Sequence, residues 1–147
     1  MSSTISIREI KSEESEWKGL IQLREAILRQ APALPFSPEE LEEEKKHFHF
    51  GLYESDLLSG TAALVQEGKQ YKMQRVAIRA DRQSQGLGTA LMHYCESWIL
   101  NRGGNRVYCH ARDSAVNFYL QQGFQAEGDY FDEDQIPHLK MSKLLSS

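Results

Sequence analysis

Apolar and polar residues alternate through TISIREI (4–10), the two-residue period of a strand with one buried face. The period then lengthens. In EESEWKGLIQLREAILRQ (13–30), Trp17, Leu20, Leu23, Ile27 and Leu28 fall on one helical face. Three prolines in APALPFSP (31–38) break that helix and make a loop. Ser37, Pro38 and Glu40 open a second helix, as capping hydroxyl, first-turn proline and capping-box glutamate. The acidic run EELEEE precedes Lys45 and Lys46, the order a helix dipole favours, and reads as a solvated face.

Strand-length segments rich in β-branched and aromatic residues follow: HFHFGLYE (47–54), LSGTAALVQE (58–67) and QYKMQRVAIR (70–79). Beyond them Leu87, Leu91, Tyr94 and Trp98 recur at spacings of four, three and four, one stripe of a long helix that NRGGN (101–105) ends. RVYCHA (106–111) is a fifth strand and DSAVNFYLQQ (113–122) a short helix. FQAEGDYF (124–131) and HLKMSKLL (138–145) are closing strands. The order β-α-α-β-β-β-α-β-α-β-β predicts an α/β or α+β domain with helices covering a sheet.

Composition narrows this picture. A chain of 147 residues with 40% hydrophobic and 26% charged residues suits one globular domain, residues 1–147, with one core. A net charge of -4 argues against general nucleic-acid binding. MSSTISIREIK has no long apolar core, and no other stretch reaches membrane length, so the expectation is a cytoplasmic protein without a membrane partner. Cys95 and Cys109 read as packed free thiols. His47 and His49 alternate onto one strand face, but two ligands do not make a zinc site, and no metal is expected.

Candidate chemistry begins at RQSQGLGTAL (82–91), where a strand ends in a glycine-spaced turn and a helix leaves it. The first N–H groups of that helix point back into the turn at the positive end of the dipole, a place that binds phosphate. Gly86 and Gly88 remove side chains that block approach to the backbone, and Arg82 puts a charge at the edge. No Gly-Lys-Ser/Thr follows, and the third glycine of a dinucleotide fingerprint is missing. A diphosphate ligand that is not a nucleoside triphosphate fits best.

Further on, Phe118, Tyr119, Gly123 and Phe124 form Phe-Tyr-x-x-x-Gly-Phe after Ala115. Together with Gln83, Ser84, Gln85, Gly86, Leu87 and Gly88, which match Gln/Arg-x-x-Gly-x-Gly/Ala, this resembles the GNAT superfamily of acetyl-coenzyme A-dependent N-acetyltransferases. The resemblance covers nearly the whole chain. The ending FDEDQIPHLKMSKLL and the segment LREAIL, with Arg24, are similar to a small bacterial subgroup ending in an Ile-Pro-His-x-x-Met strand. The resemblance implies a mixed, mostly antiparallel sheet flanked by helices and splayed between the fourth and fifth strands. It also implies acetyl-CoA as co-substrate and a primary amine of a small molecule or peptide as acceptor, in a monomer or homodimer.

By the same resemblance the backbone of Val76, Ala77 and Ile78 holds the pantetheine arm. The amides from Ser84 to Thr89 hold the pyrophosphate, and Tyr119 serves as general acid toward the departing thiolate. Many members carry an asparagine seven residues before this tyrosine. Here that position is Arg112, for which a phosphate contact and solvent are both open, and Asn117 is a second candidate cofactor contact. Transfer would run directly from thioester to amine. The base that deprotonates the amine is open among Glu25, Glu42, His138 and water. Acceptor specificity is expected from the segment between Glu13 and Phe48. The competing reading is a catalytically idle domain of the same fold that senses acyl-CoA or docks a partner.

Overall fold

In the computed structural model, which describes residues 4–28, 36–83 and 85–146, the elements fall close to where the pattern places them. In chain order these are β1 (Ile5–Glu9), α1 (Glu16–Leu28), α2 (Pro38–Glu44), β2 (Phe48–Glu54), β3 (Leu57–Glu67), β4 (Gln70–Ile78), α3 (Leu87–Asn101), β5 (Arg106–Arg112), α4 (Val116–Gln121), β6 (Gln125–Glu133) and β7 (Ile136–Leu144). The capping box of α2 is present, with the Glu40 amide donating to Ser37 Oγ at 3.1 Å and the Ser37 amide to Glu40 Oε1 at 2.9 Å. The final hairpin is longer than its hydrophobic pattern suggests. Asp134 and Gln135, both at positive φ (53° and 65°), close it in a two-residue turn, so β7 starts at Ile136.

The strands form one seven-stranded sheet in the order β1-β2-β3-β4-β5-β7-β6. Neighbours are antiparallel except β4 and β5, which are parallel. That parallel pairing covers only Gln70–Lys72 against Arg106–Tyr108. Both strands then run on, β4 to Ile78 and β5 to Arg112, without pairing to each other. The sheet opens there.

Each face has its own cover. α3 lays Leu87, Leu91, Met92, Cys95 and Ile99 on one face, where they pack with Phe50, Leu64, Tyr71, Val107, Met141 and, from α4, Tyr119. Burial of this cluster is the main term holding the layers together, at about 25 cal/mol per Å² of apolar surface. Cys95 and Cys109 belong to this core as free thiols, and burial pushes both up to about 12.

The other face is covered by α1, and its contact is not the apolar stripe alone. Leu20 and Ile21 are buried, Leu23 is only half-buried, and the centre of the contact is Arg24, wholly buried. Arg24 donates to Thr61 Oγ1 (2.9 Å), to His49 Nδ1 (2.9 Å) and to the Ala62 carbonyl (3.2 Å). Burial draws its guanidinium down to about 9, which still leaves it charged at neutral pH. His49 passes the network to the Glu44 carbonyl. Glu44 likewise departs from the solvated face expected of its acidic run, being 1% exposed and ion-paired to Arg75 at 2.6 Å.

Candidate active site

Arg75 marks a kink in β4. Thr61 pairs with Ala77 and Ala63 with Gln74, so Arg75 and Val76 together oppose Ala62, a β-bulge. Arg75 takes φ 56°, a left-handed conformation strained for a residue with a side chain. Glu44 from α2 holds its guanidinium, which also lies 5.4 Å over the Phe36 ring. Burial pushes the Glu44 carboxyl up, but the charge and hydrogen bond of Arg75, with Arg24 behind, outweigh it and hold it below the usual range.

Past the bulge, the Arg79 amide donates to the Ser59 carbonyl at 2.8 Å. By antiparallel alternation Ala77 then turns its backbone toward β3, and Ile78 turns its own toward the side that β5 has left. The Ile78 carbonyl accepts from the Gln83 side chain at 3.2 Å. Val76 sits within the bulge and lines the opening.

The glycine turn leads directly into α3. Gly86 is its N-cap at φ 79°, a left-handed position suited to glycine, and a Cβ there would meet nothing within 4 Å. Gly88 has a second reason to be glycine: a Cβ would stand 3.2 Å from the Phe118 ring of α4. Gln83 and Gln85 are exposed, Leu87 is buried in the core, and the Thr89 hydroxyl accepts from Gln122 at 3.0 Å. Ser84 lies outside the described residues. Arg82, expected at the edge of the turn, forks onto Glu54 instead, with Nε 2.8 Å from the carboxylate.

Between the diverging strands is a cavity of about 800 Å³. It reaches from Cys109 and Tyr119 on the α3 face to His110, Arg112, Glu133 and His138 on the α1 face, and Ile27, Leu28 and Glu40 overhang it. Tyr119 is 6% exposed. Burial first, then the neighbouring Cys109 thiol to which it hydrogen-bonds, push its phenol well above the ordinary value. It is therefore protonated at neutral pH and able to donate.

Arg112 donates to the Leu28 carbonyl at 3.2 Å, tying β5 to the end of α1, while Asn117 is exposed on α4. Of the residues considered as base, Glu25 accepts the Phe36 amide at 2.7 Å, and Glu42 is an exposed partner of Lys45. Neither lines the cavity; His138 does. The pattern missed two residues beside it. His110 Nδ1 lies 3.0 Å from Glu133 Oε1, and His138 Nε2 lies 3.7 Å from Glu133 Oε2.

A sheet opened between parallel strands, a glycine turn feeding a helix beside the opening, and a buried phenol beneath it are the features that the resemblance to acetyltransferases implies. The family model described as an acetyltransferase (GNAT) domain matches residues 21–145, and the chain belongs to this family. A Bacillus subtilis (strain 168) protein named as an acetyltransferase is 25% identical over 142 residues, covering 95% of this chain and 96% of the relative. A crystal structure from Lactobacillus plantarum, named as an N-acetyltransferase, superposes with TM-score 0.86 at 23% identity, covering 97% of this chain and 99% of its own. An aminoglycoside 6'-N-acetyltransferase crystallised with coenzyme A superposes with TM-score 0.78 at 18% identity, covering 97% and 98%. Among the described residues, no helix is long and apolar enough to cross a membrane.

Proposed function

We propose that the protein is an N-acetyltransferase that moves an acetyl group from acetyl-CoA directly to a primary amine of a small molecule or peptide. The observation that carries this reading is the placement of the Tyr119 hydroxyl, protonated and buried, in a cavity that joins both faces of the sheet at its opening. Acetyl-CoA supplies an activated thioester. The residues fit it: space stands open over Gly86 at the start of a helix of 15 residues, where free N–H groups suit a pyrophosphate. The backbone of Val76 and Ile78 borders the opening and suits an amide-bearing arm. Cofactor contacts are assigned to Val76, Ala77, Ile78 and 83–89, with Ala77 contributing through packing because its backbone faces β3.

Tyr119 meets the departing sulfur. Its hydroxyl neighbours the Cys109 thiol and lines the cavity, so it can turn toward a thiolate formed there. Both cysteines keep their protons and stay in the core, so no acyl-enzyme is needed. The overhang of Ile27, Leu28 and Glu40 supports a reading in which α1 and α2 choose the acceptor. Thiol release from acetyl-CoA across a panel of amines tests the proposal. Amine-dependent release with a matching acetylated product supports it, whereas coenzyme A binding without turnover of any amine would favour an acyl-CoA sensor.

A further inference from the structure

We infer that His110 accepts the proton of the acceptor amine, with Glu133 as its positioning carboxylate. This rests on the acetyl-transfer reading above and names the base that reading leaves open. His110, Arg112, His138 and Phe131 share one face by strand register, since Arg112 pairs with His138 and His138 with Phe131. That face is opposite the core face of Cys109 and Ala111, where Tyr119 lies. The cavity runs between them through the opening. A thiolate acid and an amine base would thus stand on opposite sides of the reacting carbonyl.

The geometry distinguishes the two histidines. A carboxylate oxygen only accepts, so His110 Nδ1, 3.0 Å from Glu133 Oε1, carries the proton. Nε2 is left with its lone pair and no protein partner among the described residues, on a residue that lines the cavity. Phe131 stands edge-on at 5.1 Å and fixes the ring plane. His138 is differently placed. Its Nδ1 donates to the Ile136 carbonyl at 2.7 Å, its Nε2 faces Glu133 at 3.7 Å, and it is 5% exposed. With its Nδ1 proton on that carbonyl, a neutral His138 turns its Nε2 lone pair toward the Glu133 carboxylate, so it is not the ring placed to take the amine proton. An imidazole presented by a carboxylate is the arrangement that serves general bases at neutral pH.

The charged groups around His110 are Glu133 on β6, Asp134 in the hairpin turn, His138 and Lys140 on β7, Arg112 on its own strand and Lys72 on β4. Glu40 of α2 and Arg75, paired to Glu44, also line the cavity. The protons balance. An ammonium has three N–H protons and the amide product one. One of the two lost ends, in net, on the sulfur beside Tyr119. The other passes to His110 Nε2 before attack, since nitrogen needs its lone pair, and leaves through water at the cavity mouth. As the N–C bond forms and the C–S bond breaks, Tyr119 gives its phenolic proton to the sulfur. The second nitrogen proton, taken by His110, returns through water to the phenolate.

The test is kcat/KM against pH, with an amine that the wild-type protein acetylates, for His110→Gln and Glu133→Gln. The expected loss for His110→Gln at pH 7 is roughly 10²- to 10³-fold. Its acid limb should disappear, and its rate should recover as rising pH deprotonates the amine in solution. Glu133→Gln should lose less, and adding it to His110→Gln should cost nothing further, because Glu133 acts only through the imidazole. Coenzyme A affinity by calorimetry should match wild type in both, which separates a chemical defect from a folding one. A His110→Gln protein that binds coenzyme A and keeps the wild-type rate and acid limb would overturn the assignment. A wild-type protein inert toward every amine would instead remove the acetyl-transfer reading beneath it.

Discussion

At the scale of single residues, Gly86 and Gly88 do different work within one motif. Gly86 adopts φ 79° over open space, so its constraint is conformational and its surroundings are free for a ligand. Gly88 is confined by the Phe118 ring. Gly86→Asp is the informative change, because aspartate tolerates left-handed backbone better than most residues. It places a negative charge where the pyrophosphate is proposed to lie. Coenzyme A affinity should fall by on the order of 1–3 kcal/mol, several-fold to about a hundredfold. Calorimetry on the folded variant checks this, and unchanged affinity would remove the turn from the cofactor site.

At the scale of elements, α2 is joined to the kink in β4 by Glu44 and Arg75. The left-handed Arg75 costs on the order of 1–2 kcal/mol of backbone strain, which the ion pair must offset. Glu44→Gln should therefore destabilise the fold by roughly 2–3 kcal/mol, below the range for a fully buried pair because Arg75 is partly exposed. A urea midpoint unchanged from wild type would mean that the bulge stands without α2.

Element order and most boundaries were legible because periodicity reports local burial, and Tyr119 and the glycine turn were legible because their spacing is a motif. The polar network was not. Arg24 sits among apolar neighbours on α1, and its partners Thr61 and His49 lie 37 and 25 residues away, so only the folded register joins them. Glu133 was missed for a related reason. The Asp134–Gln135 turn lacks the usual glycine, so the sequence did not show that the hairpin carries Glu133 back toward His110.

At the scale of the whole molecule, the buried network makes stability depend on pH. Burial, then the charge of Arg24, pull His49 from 6.5 down to about 4. The unfolded chain therefore binds a proton between those values that the folded chain does not. This contribution is complete above pH 6.5 and is lost as pH falls toward 4, at most about 3 kcal/mol from 2.5 units at 1.36 kcal/mol each. Glu44, held low, adds a further loss below its unfolded value of 4.5. Urea unfolding at pH 7 and pH 5 should show the difference, and His49→Gln should flatten it; equal slopes in both proteins would contradict the network's role.

In the proposed reaction Tyr119 stands where the thiolate would form, and one comparison tests that directly: amine-dependent acetyl transfer by wild type and Tyr119→Phe. The ring packing is kept, so melting temperature and coenzyme A affinity should hold. With kcat and kcat/KM falling together by roughly 10- to 1000-fold, the hydroxyl acts in the transition state. Full activity in a well-folded Tyr119→Phe protein would contradict it.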